Sequence, residues 1–136
     1  MKFPLFIELD KKRVLVVGGG KIGGRRAQIL KRFGAEVCII DPKTENADIK
    51  REFKDSDTEG FFLVLACTND KSVNARIGKL CRQRDIFVSV ADSAETSTFF
   101  FPALCDSDDI CVGLVSKNGD EHKLVKNTAE KIRDIL

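Results

Sequence analysis

Val14-Leu15-Val16-Val17-Gly18-Gly19-Gly20-Lys21-Ile22-Gly23 is the stretch on which the fold turns. Its four leading apolar residues read as a strand buried on both faces, the pattern of a parallel sheet covered by helices. The glycines satisfy G-x-G-x-x-G. Lys21 to Phe33 then keeps helical spacing through Ile22, Ala27, Ile29, Leu30 and Phe33, and Gly34 supplies the stop. A further strand, Val37 to Ile40, ends at Asp41. Strand, glycine turn, helix, strand and acid in that order form a dinucleotide-binding fingerprint, which glycines alone do not.

Each part has a physical job. Gly18 allows the tight turn, Gly20 lets the backbone approach a pyrophosphate with no Cβ in the way, and Gly23 lets helix and strand pack closely. The N–H groups that open the helix, with roughly half a unit of positive charge from the macrodipole, suit phosphates. Asp41 is placed to accept hydrogen bonds from adenosine ribose hydroxyls. Its charge disfavours a 2′-phosphate, which favours NAD over NADP, while Lys43 acts in the opposite direction. The alternatives are a glycine-rich turn with only a packing role and, for Asp41, a solvated turn residue before Pro42.

Outward from this unit, apolar runs of strand length alternate with segments of helical period, which implies an α/β, Rossmann-type domain with a mostly parallel sheet. Leu5 to Leu9 and Arg13 to Val17 read as strands, Ile49 to Phe53 as a short helix, and Phe61 to Cys67 as a buried strand. A helix is expected from Lys71 to Arg84, and strands at Phe87 to Val90, Phe99 to Phe101 and Ile110 to Val115. Lys123 to Leu136 is the last amphipathic helix. The expected division is a cofactor-binding domain over residues 1–112 and a C-terminal extension over 113–136 that opens a dimerisation region.

Composition excludes several classes. Twenty-three Lys and Arg against 21 Asp and Glu leave a formal charge of +2, and the two signs are interspersed, so no nucleic-acid footprint is expected. No apolar run approaches the roughly 18 residues of a membrane span. The start, Met1 to Glu8, fails as a secretory signal, so the expected location is the cytoplasm. Five cysteines, an odd number without C-x-x-C, read as reduced thiols. Cys105 and Cys111 lack a second ligand pair at zinc spacing, and lone His122 lies among surface charges, so no metal site is expected.

In an open parallel sheet, ligands lie beyond the carboxyl ends of the strands. Ala66-Cys67-Thr68-Asn69-Asp70 is one such end, where Thr68 and Asn69 should face the nicotinamide side. Helix capping by Asn69 or Asp70 is the other reading, and both can hold together. Val88-Ser89-Val90-Ala91-Asp92 is the next end, followed by Ser97-Thr98-Phe99-Phe100-Phe101-Pro102-Ala103.

At this point the chain resembles a known family. Pro4-Leu5-Phe6-Ile7-Glu8-Leu9, the triple glycine, Arg25 and Arg26, Thr68-Asn69-Asp70, Asn74, and Asp92 before a phenylalanine-rich run closed by Pro102-Ala103 are similar to the siroheme synthase amino-terminal domain and to stand-alone precorrin-2 dehydrogenases. The resemblance covers about residues 2–116. It implies oxidation of precorrin-2 to sirohydrochlorin with NAD, and in many members ferrous-iron insertion. It also implies a tetrapyrrole substrate and a homodimer. By resemblance, Lys21 and Ile22 lie at the pyrophosphate, Pro42 and Lys43 flank the adenosine ribose, and Asp92 takes the place of the catalytic carboxylate, a base for the proton that leaves with the hydride. A turn role for Asp92 with Ser93 is the alternative.

The charged segment 117–123 departs from the family's small Ser/Gly-rich loop, and the family continues past the point matched by Leu136 into helices that complete the dimer and the tetrapyrrole cleft. The chain therefore reads as truncated after the Rossmann-type domain, with three readings open: a fragment, a protein whose missing helices come from another chain, or one that binds NAD without being a full enzyme. Two other classes compete: a nucleotide-sensing module resembling potassium-transporter regulatory domains, which lack the Asp92 to Ala103 pattern, and a scaffold that keeps only cofactor binding.

Overall fold

The computed structural model describes residues 1–136. The chain forms two units, Phe6–Phe99, and Met1–Leu5 with Phe100–Leu136. In the larger, β1 (Arg13–Val17), β2 (Glu36–Ile40), β3 (Leu63–Ala66) and β4 (Phe87–Val90) form a wholly parallel sheet in the order β2-β1-β3-β4. Helix α1 (Lys21–Arg32) packs on β1 and β2, and α2 (Lys71–Gln83) on β3 and β4.

The sheet is apolar on both faces, as its sequence requires. Leu15, Val17, Val64 and Ala66 share a cluster with Ile77 and Cys81 of α2. Their neighbours Val14, Val16, Leu63 and Leu65 point to the other face by the two-residue period and are equally buried. Helix α1 ends where Gly34 takes a positive φ of 88°, with the Gly34 and Ala35 N–H groups donating to Lys31 and Leu30 carbonyls. Helix α2 starts on Asp70, whose carboxylate accepts from the Ser72 and Val73 N–H groups at 2.9 and 3.3 Å.

Both sheet edges are closed without a fifth strand. Along β2, Ile39 donates its N–H to Asp48 Oδ2 at 2.8 Å, and its carbonyl accepts from the Asp48 and Ile49 N–H groups. Along β4, the Val88 N–H donates to Thr98 Oγ1 at 2.9 Å and the Val90 N–H to Ser97 Oγ at 2.8 Å. An exposed row of unpaired edge groups would otherwise template association.

Three expected elements are corrected by this arrangement. Residues 5–9 pair with no strand: β1 has β2 and β3 on its two sides, and Leu5, Phe6 and Ile7 stay exposed. Residues 49–53 are not helical, because the Ile49 backbone bonds to β2, and a 3-10 turn forms instead at Asp55–Thr58. Residues 99–101 are not a strand, since the Phe99 N–H is taken by the Val88 carbonyl, and strand structure resumes only after Pro102.

The smaller unit holds an antiparallel pair, β5 (Ala103–Asp106) and β6 (Cys111–Leu114), and helix α3 (His122–Ile135). Cys105 lies buried with its Sγ 3.4 Å from the Ala129 carbonyl, and Arg133 donates to the Leu104 carbonyl at 2.8 Å. Because β5 pairs only with β6 and carries α3, residues 100–112 group with the C-terminal unit. Leu114, Leu124 and Val125 floor an open cleft of about 350 Å³ in this unit. No helix of the chain is long and apolar enough to cross a membrane.

The hydroxyl closing the β4 edge is the part most easily tested. Ser97→Ala leaves the N–H of buried Val90 without its acceptor, and stability should fall by about 1–2 kcal/mol, read as a lower urea midpoint at unchanged m-value. An unchanged midpoint would show that the edge does not depend on this hydroxyl.

Candidate dinucleotide-binding site

The turn from β1 into α1 is built on missing side chains. Gly18 adopts φ 100°, and a Cβ there would stand 2.5 Å from the Cys67 carbonyl oxygen of the neighbouring strand end. At Gly23 a Cβ would collide with the Gly18 carbonyl oxygen. Gly20 differs: a Cβ there would meet nothing within 4 Å, so this glycine is not required by packing inside the chain. It caps α1 without a side-chain hydrogen bond, and the first turn carries no acidic residue. The N–H groups of Lys21, Ile22 and Gly23 thus have no acceptor within the helix, and Lys21 and Ile22 are exposed. An open backbone beside an uncapped helix start fits a pyrophosphate.

Asp41 lies at the end of β2 and reaches this turn. Its Oδ2 accepts from the Gly19 N–H at 2.8 Å, and its Oδ1 from the Lys43 and Thr44 N–H groups at 2.8 and 3.1 Å. Oδ1 is therefore saturated by backbone, and one lone pair of Oδ2 stays open for a ribose hydroxyl. Burial pushes the carboxyl up, but the N–H groups of Lys43, Gly19 and Thr44 and the Lys43 charge together hold it below the ordinary carboxylate value. Pro42 and Lys43 are exposed on the turn that follows. The Thr44 hydroxyl is buried against Gly19 with no hydrogen-bond partner, and Asn46 Nδ2 donates to the Gly19 carbonyl at 2.9 Å. Thr44 and Asn46 fall in a stretch whose sequence reads only as polar.

At the end of β3, Thr68 is turned inward. Its N–H and hydroxyl donate to Oδ1 of the buried Asn74 at 3.1 and 2.7 Å, and Asn74 Nδ2 returns a bond to the Thr68 carbonyl at 3.0 Å. Asp70 caps α2 and Asn69 stays exposed, so of this pair it is Asn69 that is available to a ligand. Cys67 sits between the glycine turn and Asp92. Burial pushes its thiol up, the charge and hydrogen bond of Arg26 pull it down, and the Asp92 carboxylate pushes it up again. Asp92 itself is exposed, in the turn after β4, while the adjoining Ser93 takes the turn hydrogen bonds through its Oγ and carbonyl. The carboxyl end of one sheet thus brings together the glycine turn, Asp41, Asn69 and Asp92.

Comparison with known proteins gives a consistent picture. A family profile described as "Putative NAD(P)-binding" matches residues 5–103. The chain is 43% identical to a "Probable multifunctional siroheme biosynthesis protein HemA" of Ruminiclostridium josui, over 98% of its own length and 28% of that protein. It is 33% identical to a siroheme synthase of Photobacterium profundum, over 98% of its length and 30% of that protein. The chain thus spans under a third of the length of these curated relatives. A solved structure titled "SirC, precorrin-2 dehydrogenase" superposes with a TM-score of 0.81 over 99% of this chain and 71% of that one, at 22% identity, which shows the shared fold.

Two outcomes are expected at this site. Gly20→Val fills only open space within the chain, so the melting temperature should hold while NADH affinity falls at least tenfold in a fluorescence titration; equal affinity would remove Gly20 from the phosphate seat. Asp41, with its folded pKa depressed, contributes stability that is present above the unfolded value near ~3.9 and lost as pH falls through the folded value. Urea melts between pH 7 and pH 3 should therefore show a shallower acid decline for Asp41→Asn than for the wild type; parallel curves would contradict the shift.

Proposed function

Because the chain belongs to the NAD(P)-binding family, we propose that it is the dinucleotide-binding portion of an NAD-dependent precorrin-2 dehydrogenase, which oxidises precorrin-2 to sirohydrochlorin on the way to siroheme. One observation carries the reading: the open Gly20 backbone, the uncapped start of α1 and Asp41 meet at the sheet end where β4 delivers an exposed carboxylate, Asp92. The likeness to siroheme biosynthesis proteins over 98% of the chain supports the choice of substrate.

The reaction removes two hydrogens from the tetrapyrrole, one as hydride and one as a proton. Bound NAD supplies the hydride acceptor. The N–H groups of Lys21, Ile22 and Gly23 hold its pyrophosphate, and Asp41 Oδ2 receives a ribose hydroxyl, which favours NAD over NADP. Pro42 and Lys43 border that ribose. Asn69 and the backbone of Thr68 line the nicotinamide side. Asp92 accepts the proton as the hydride departs, a role that suits an exposed carboxylate able to reach a large substrate.

Ferrous-iron insertion belongs to the same proposal as a second activity, with Asp92 receiving pyrrole protons. So does a homodimer through the C-terminal unit, where Val115, Leu124 and Ile135 are exposed apolar side chains. The proposed location is the cytoplasm.

Asp92→Asn keeps the side-chain volume and removes the proton acceptor. Precorrin-2 oxidation, followed anaerobically as NADH absorbance, should fall by roughly 10²- to 10⁴-fold while NADH affinity and melting temperature stay near wild type. Full activity in this variant would take Asp92 out of the mechanism. NADH binding by the wild type without any precorrin-2 oxidation would leave a cofactor-binding domain and overturn the dehydrogenase reading.

A further inference from the structure

The dinucleotide fingerprint needs glycine at 18, 20 and 23 and leaves positions 19 and 24 open. Both are nonetheless glycine here. One side chain, Asn46, lies against both, joined at Gly19 by Thr44. A Cβ on Gly19 would collide with Asn46 Oδ1 and Thr44 Oγ1, and a Cβ on Gly24 would stand 3.0 Å from Asn46 Nδ2. Asn46, itself exposed, therefore lays its amide against both the glycine turn and the first turn of α1, from a position 27 residues downstream of Gly19.

The contact is also a clamp. Asn46 Nδ2 donates to the Gly19 carbonyl at 2.9 Å, and Asp41 Oδ2 accepts from the Gly19 N–H at 2.8 Å. Both backbone polar groups of Gly19, its N–H and its carbonyl, are thus held by side chains from the loop after β2. Three consecutive glycines are the segment of this chain with the greatest backbone freedom. An unclamped turn would have to be ordered by the ligand, with a corresponding loss of affinity.

We propose that Asn46 is a positioning residue for dinucleotide binding. With Asp41 it fixes Gly19, and through Gly19 and Gly20 the start of α1, whose Lys21, Ile22 and Gly23 N–H groups receive the pyrophosphate. It also ties the ribose half of the site to the phosphate half, since one loop carries both Asp41 and Asn46. This rests on the cofactor reading above and adds to it a residue outside the fingerprint.

The test is NADH titration by fluorescence on variants shown by circular dichroism to be fully folded at the assay temperature. Asn46→Ala should raise the Kd roughly three- to tenfold, the usual worth of one hydrogen bond. Asn46→Asp, which sets a carboxylate against the Gly19 carbonyl and near the incoming phosphates, should raise it further. Gly24→Ala should push Asn46 aside and weaken binding on its own, but add little in the Asn46→Ala background, because the two changes break the same contact. A purely structural asparagine would lower the melting temperature and leave the Kd of folded molecules and this non-additivity unmoved. Wild-type affinity in folded Asn46→Ala, or additive effects of the two changes, overturns the inference and leaves the cofactor site standing. Failure of the wild-type chain to bind NADH overturns the cofactor reading and the inference with it.

Discussion

The fold depends on an approach so close that no carbon atom fits between its parts. A Cβ on Gly23 would strike the Gly18 carbonyl, and one on Gly18 the Cys67 carbonyl, so helix, turn and third strand touch backbone to backbone. That contact fixes the start of α1 over the junction of β1 and β3 rather than a side chain's width away. The helix N-terminus consequently lies at the mouth of the sheet, where its unpaired donors can act on a ligand. Arg26, three residues beyond Gly23, reaches Cys67 from the same helix.

The edges of the sheet serve the same end. A four-stranded parallel sheet has two open rims, and here each is closed by side chains and backbone from the loop that leaves it: Asp48 and Ile49 at β2, Ser97 and Thr98 at β4. Each loop must fold back along its own strand to do this. In folding back, one carries Asp41, Thr44 and Asn46 past the glycine turn, and the other holds the Asp92 turn at the end of β4. Edge protection and site assembly are therefore a single arrangement of the chain.

This explains what the sequence could and could not reveal. Strands β1 to β4 and helices α1 to α3 were legible because burial on two faces, or on one helical stripe, writes a period into the chain. The segments 5–9, 49–53 and 99–101 misled because each is apolar yet has its backbone partners decided elsewhere: β1 offers no free side, and the Ile49 and Phe99 backbones serve β2 and β4. At the candidate site, the positions of the glycines and Asp41 were legible from spacing along the chain, and that of Asp92 from a strand end and the family resemblance. The inward turn of the Thr68 hydroxyl onto Asn74 and the reach of Asn46 to Gly19 could not, since both are settled by tertiary neighbours. The surplus glycines at 19 and 24 were the one linear trace of the side chains, Thr44 and Asn46, that lie against them.

Helix α1 begins with no capping side chain and no acid in its first turn. A helix start in this condition leaves its donors to solvent, and an anion bound there adds its binding free energy to that of folding, about 2.7 kcal/mol at a hundredfold excess over Kd. Proteases act mainly on transiently opened chains, so their access falls as the folded population rises. A dinucleotide bound at this helix start would therefore raise the resistance of the domain to proteolysis as its concentration rises, with no dedicated signal required.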